Sequence, residues 1–124
     1  MPRSAFEGTI HTQYRFPIAP GVDVHQGQFY GFNTDGHLVK VEDADAGRRV
    51  VYAMERATGD AAATRKALCA VSVIATIPRD TLTAAERGKT VYATSGQSAQ
   101  TTDNGKRCGV LLDVENTTAA ILLG

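Results

Sequence analysis

Three histidines, two cysteines and one acidic cluster are the side chains of this 124-residue chain best suited to chemistry, and their spacing argues against its use. His11, His25 and His37 lie far apart, with no HxH, HxxxH or HExxH pair and no cysteine beside any of them. The ligand spacing of a metal site is therefore missing, and each imidazole reads as a solvated or strand-face side chain. Cys69 and Cys108 form no CxxC, and the sequence nominates no base for either. Each reads as a small buried apolar residue of a chain made in a reducing compartment. Ser95-Gly96 lacks the GxSxG setting of a nucleophile turn. Gly31 to Gly36 lacks the GK[ST] ending of a phosphate loop. Glu42, Asp43 and Asp45 lack the glycine and the bidentate glutamate of a calcium loop. No catalytic, cofactor-binding or metal residue is nominated, and the chain reads as a non-enzyme without a cofactor.

The composition asks what else the chain can do. Hydrophobic residues make up 43%, but alanine is the commonest of them, and Trp is absent. The core is thin for one domain of this size, and association with other copies would help to stabilise it. Thirteen basic residues balance thirteen acidic ones, with no basic run, so nucleic acid is excluded as a partner. No apolar run is long enough to cross a membrane. The first residues lack the apolar stretch of a secretory signal, which points to synthesis in the cytoplasm.

The elements that must position any binding residue read as β. Short Val- and Thr-rich segments recur between glycine turns, the habit of a barrel or sandwich. Gly27 to Asn33 and His37 to Val41 make a hairpin about Asp35-Gly36, which supplies the positive φ of a tight turn. Glu42 to Gly47 is a solvated loop, and Val50 to Glu55 the next strand. Residues 57–66 admit either a short helix capped by Asp60 or a loop. The loop is preferred, because the β-branched run that follows, Ala67 to Ile77, continues without a stop until Pro78. Thr83-Ala84-Ala85-Glu86 is a capping box closed by Gly88, the one helical turn. Strands then follow at 89–94, 97–102, 106–114 and 118–123, punctuated by Ser95-Gly96 and Asn104-Gly105, the second a strong hairpin signal.

A faint duplication underlies this pattern. Gly47-Arg48-Arg49 opens a strand that ends in an acid at Glu55, and Gly105-Lys106-Arg107 opens one that ends at Asp113. A hairpin precedes each: Gly27…Tyr30…Gly36 and Gly88…Tyr92…Gly96. Two copies of a hairpin-plus-strand unit would build a small barrel.

Residues 1–26 stand apart from the domain at 27–124. Phe6, Ile10, Tyr14 and Phe16 are spread among polar residues, and Pro17 and Pro20 interrupt the segment. It is either a first edge strand or an arm whose four apolar side chains anchor it to a partner.

Residues 80–94, from Asp80-Thr81-Leu82-Thr83-Ala84-Ala85-Glu86 to Gly88-Lys89-Thr90-Val91-Tyr92-Ala93-Thr94, resemble a recurring run of small tailed-phage head proteins. Arg107-Cys108-Gly109-Val110-Leu111-Leu112-Asp113-Val114 is similar to the later strand of that family. The family is the capsid decoration, or cement, proteins, and the resemblance covers about residues 20–124. It implies a small β-barrel or β-tulip-like domain, usually trimeric, on the outer surface of the virion. Its partner there would be the major capsid protein, and its task to stiffen the shell. The family's last strand commonly carries a Trp where this chain has Thr118-Ala119-Ala120-Ile121, so a trimer contact here must differ. A small barrel that binds a ligand such as carbohydrate is the alternative, although aromatics for stacking are few.

Overall fold

Glycine turns and β-branched runs resolve into eleven strands in the computed structural model, which describes residues 11–124. They are β1 (His11–Pro17), β2 (Asp23–Val24), β3 (Phe29–Phe32), β4 (Leu38–Lys40), β5 (Val51–Ala53), β6 (Ala57–Thr58), β7 (Lys66–Pro78), β8 (Thr90–Ser95), β9 (Ser98–Gln100), β10 (Arg107–Val114) and β11 (Thr118–Leu123). Three-residue 3-10 turns at Val41–Asp43 and Ala84–Glu86 are the helical elements among these residues. The single helical turn expected at Thr83 to Glu86 is thus joined by a second, where the sequence reads as strand and solvated loop. The fold is all-β and barrel-like: nine strands form one curled sheet in the order β4-β3-β5-β7-β11-β10-β8-β9, with β1 also on β7, while β2 and β6 pair separately.

β7 is the spine. Ala70 pairs with both Gln13 of β1 and Tyr52 of β5, while Val73 pairs with both His11 and Leu123. Each strand has two edges, so β1 takes one, and β5 and β11 lie end to end along the other. Alternate residues face one side. Along β7, Ala67, Cys69 and Val71 line one core, and Val73, Ala75 and Ile77 line a second.

The duplication is present in the ladder itself. Gly27 N–H donates to Ala53 O, and Gln28 O accepts from Ala53 N–H; Gly88 N–H donates to Leu111 O, and Lys89 O accepts from Leu111 N–H. Tyr30 lies opposite Val51 as Val91 lies opposite Gly109, and Ala53 opposite Cys69 as Leu111 opposite Ile121. Thus β3-β4-β5-β7 and β8-β9-β10-β11 are two copies of one four-strand unit. The glycines match as the sequence suggests, but Tyr30 corresponds to Val91 and not to Tyr92. A one-residue slip turns a side chain to the opposite face, and Tyr30 is buried where Tyr92 is half-buried.

Each unit buries its own concave face. Tyr30, Leu38, Val51, Ala53, Ala67 and Cys69 form the first core, and their counterparts Val91, Ala99, Leu111, Ala119 and Ile121 belong to the second. What covers them differs. The second core is closed by Phe29 and Val50 from the back of the first unit; the first is closed by Ile18 and Val24, both fully buried. The stretch after Pro17 is therefore a plug integral to the barrel, and the strands from Gly27 onward do not close it alone. Gly59 permits this: a Cβ there would lie 2.1 Å from Ala19 O, and its N–H donates to Val22 O.

Local signals hold elsewhere. Gly36 has φ +82°, and Asn33 Oδ1 accepts from the N–H groups of Asp35 and His37, each at 3.0 Å. Residues 57–66 form no helix; Asp60 instead caps a turn, accepting from Thr64 N–H at 2.7 Å. The capping box forms, with Thr83 N–H donating to Glu86 Oε1 at 2.9 Å. Asn104-Gly105 is a correction: β9 and β10 lie on opposite edges of β8, so this turn carries the chain across the end of β8 and is not a hairpin. Asn104 Nδ2 fastens that crossing to Ala93 O at 2.7 Å.

Candidate contact surfaces

The side chains with chemical potential are held apart or kept inert. His25 sits before β3, and the His37 N–H is used in the hairpin turn. Among the described residues no three His, Cys, Asp or Glu groups stand close enough to hold a metal ion. Burial pushes the Cys69 thiol up to about 12, with the Glu55 carboxylate adding to it, and burial takes Cys108 to about 12 as well. Both stay protonated at neutral pH and are poor nucleophiles. Asp45 pairs with Arg48 at 3.0 Å, so the acidic loop is partly neutralised. No helix among the described residues is long and apolar enough to cross a membrane.

Surfaces are left. Of the four anchors suggested by sequence, Phe6 and Ile10 lie outside the described residues. Tyr14 and Phe16 share one face of β1, and their rings are 5.1 Å apart. They differ in burial: Tyr14 is 65% exposed, whereas Phe16 is half-buried against Phe32, with ring centroids 5.1 Å apart in an edge-to-face contact. Phe16 therefore belongs to the rim of the first core, and Tyr14 extends that rim into solvent.

A second surface was not anticipated. Ile74 of β7 lies opposite Leu122 of β11, which lies opposite Val110 of β10. Ile74 is 46% exposed, Leu122 41% and the nearby Leu112 38%, so three sheet strands present an apolar stripe. The sequence signal is faint: Leu122 stands between the buried Ile121 and Leu123, and the whole run reads as core.

A third feature is a cleft of about 270 Å³ between the two units, lined by His25, Gln28, Lys40, Glu42 and Gly96 over a floor of Phe29, Tyr30 and Val41. The floor is apolar and buried, but the Tyr30 hydroxyl is engaged: it accepts from His25 N–H at 2.7 Å and donates to Asp23 O at 3.2 Å. Desolvation holds that phenol above its ordinary pKa.

No family model matches the chain, and no curated protein or solved structure matches it either.

Proposed function

We propose that this chain is a non-enzymatic capsid decoration protein, a cement protein that binds the outer surface of a tailed-phage head as a homotrimer and stabilises the shell. The observation that carries the proposal is the exposure of large apolar side chains on an otherwise well-covered barrel: Tyr14, Ile74, Leu112 and Leu122. Exposed apolar patches mark contact sites more than they mark catalysis. The stripe through Ile74 and Leu122 is assigned to a second copy of the chain. Arg107 at one end of β10 and the Arg87–Asp113 ion pair at the other give the stripe a polar rim about an apolar centre. Tyr14 at the rim of the first core is assigned to the major capsid protein. The resemblance over residues 80–114 supports the same role, since its two segments meet as the paired strands β8 and β10.

Carbohydrate binding is less well supported. Sugar rings stack on open aromatic faces, and Tyr14 is the one aromatic side chain among the described residues that is mostly exposed.

The test is to add purified protein to undecorated heads and measure what co-sediments. Saturable binding at the head surface, weakened about tenfold by Tyr14→Ala, supports the role. No binding to heads at micromolar concentration removes it.

A further inference from the structure

The two units differ in how the entry of the hairpin is joined to its exit. In the second unit, Glu86 stands two residues before Gly88, and its Oε2 accepts from the Thr101 hydroxyl at 3.1 Å. That bond ties the entry of the hairpin to its exit. Its Oε1 is held by Thr83 N–H. In the first unit, His25 stands two residues before Gly27. Lys40, opposite Tyr30, corresponds to Thr101, which follows the Tyr92–Gln100 pair at the end of β9. Here no hydrogen bond joins entry to exit among the described residues. His25 and Lys40, the counterparts of Glu86 and Thr101, both line the cleft.

We propose that this cleft is a receptor for a carboxylate supplied from outside the chain, one that joins hairpin entry to exit in the first unit as Glu86 does in the second. The surroundings suit an anion. Lys40 and His25 line the cleft, and behind it Lys106 Nζ donates to Val41 O at 2.8 Å and to Glu42 O at 3.5 Å. Glu42 is the opposing group, and its side chain forms no ion pair with Lys40 or Lys106 among the described residues. The apolar floor of Phe29 and Val41 would take the methylenes of a glutamate-length acid. The Tyr30 hydroxyl, already donating to Asp23 O, holds the floor without competing for the ligand. The inference stands on the comparison of the two units and does not depend on the capsid proposal.

The chemistry is a carboxylate on a short aliphatic stem, and two sources can present it: an acidic side chain of a partner protein, or a free small acid. The probes are N-acetyl-glutamate N-methylamide, its glutamine analogue and glutarate, each titrated into isotope-labelled protein while the amide shifts of Gln28, Lys40 and Gly96 are followed. The expected result is saturable shifts at these three positions with the glutamate probe and not with the glutamine one. Lys40→Gln weakens binding about three- to fivefold and Glu42→Gln strengthens it, the scale of one exposed charge interaction. Lys66→Gln, on β7 and outside the cleft lining, leaves it unchanged. Preference for the capped glutamate over glutarate marks a protein side chain as the source, and the reverse preference marks a free acid; either supports a carboxylate site. Absence of saturable shifts at the cleft overturns the proposal, as does equal response to the glutamine probe or unchanged binding in a folded Lys40→Gln variant.

Discussion

Gly47 donates its N–H to the carbonyl of Gly105 at 2.7 Å, and these two glycines hold the same position in the two structural units. Both have positive φ, +90° and +81°, so each turns the chain into the third strand of its unit. The contact marks where the units abut, and Val50 N–H to Arg107 O extends it by one further bond. Beyond that seam the units diverge according to their covers. The second unit is sealed by the first, whereas the first is sealed by the segment at Ile18 and Val24.

The correspondence of the units also marks a glycine, besides Gly59, that tolerates no side chain. Gly109 occupies the position of Val51 in the other unit, yet a Cβ there would lie 1.9 Å from Leu122 O. The register of β10 is irregular on both sides of it, which brings the β11 backbone close. Gly109→Ala is expected to lose about 2 kcal/mol or more in urea unfolding. Stability within 0.5 kcal/mol or so of the parent would show that β11 moves aside freely.

The N-terminal segment should separate into stability and contact. Ile18→Ala opens a cavity in the first core and is expected to cost about 2–4 kcal/mol. Phe16→Ala, half-buried against Phe32, should cost about 1–3 kcal/mol. Tyr14→Ala should stay within about 0.5 kcal/mol, since the ring is mostly in solvent. Deleting residues 2–16 removes β1 from the edge of β7 and lowers the melting temperature. Equal melting of the deletion and the intact chain would make β1 dispensable to the fold.

Where local chemistry decides, sequence is a sufficient guide. Asp35-Gly36, the capping box from Thr83 to Glu86 and the stop at Pro78 each depend on residues within a few positions of one another. Non-local choices are where it falls short. Asn104-Gly105 has the chemistry of a hairpin, but β10 pairs with the far edge of β8, which no turn residue can specify. Ile18 and Val24 are too far apart, with Pro20 and Gly21 between them, to show a strand or helix period, so their burial leaves no pattern. For the contact surfaces, aromatic character identifies Tyr14 and Phe16, but only the position of Phe32 decides which of them is free. The stripe at Ile74 and Leu122 is hidden because neighbouring inward and outward residues are equally apolar.

The thiols provide a probe of opening. Burial raises Cys69 and Cys108 to about 12, so neither thiol is appreciably ionised at pH 8 in the native chain. Native protein is expected to stay silent to a thiol-specific chromogenic reagent over minutes, and both groups to react once urea unfolds the chain. Prompt reaction of either thiol in the native state would show its core to be open.

Stability should fall in acid. The Asp113 carboxyl is held below its ordinary pKa by the Arg87 guanidinium and then by Val114 N–H, and Glu86 by Thr83 N–H and then the Thr101 hydroxyl. Asp60 is lowered by the Thr64 hydroxyl and then by the Arg65 and Thr64 N–H groups. The unfolded chain therefore binds protons more readily than the native one as pH drops. The contribution is complete above the unfolded values near 4 and is lost as pH falls through the lower native ones. Urea midpoints should decline from about pH 4 downward, and Asp113→Asn should flatten part of that decline. An unchanged slope in Asp113→Asn would show that the Arg87 pair does not couple to folding.

The apolar stripe makes the last prediction, because its residues are exposed in the single chain and face no core. Leu122 lies directly between Ile74 and Val110 across three strands, so one charge placed there disturbs the whole patch. Its neighbours Ile121 and Leu123 point inward and are fully buried, so the substitution leaves the second core untouched. Burying an unpaired carboxylate at an interface costs several kcal/mol, whereas leaving it in water on a monomer costs little. For the homotrimer proposed above, Leu122→Glu is therefore expected to lower the sedimentation mass to that of a monomer while far-ultraviolet circular dichroism still reports a β fold. Ile74→Glu, on the adjacent strand, should do the same. A parent protein that sediments as a monomer at tens of micromolar, or variants that remain trimeric, would take the stripe out of self-association.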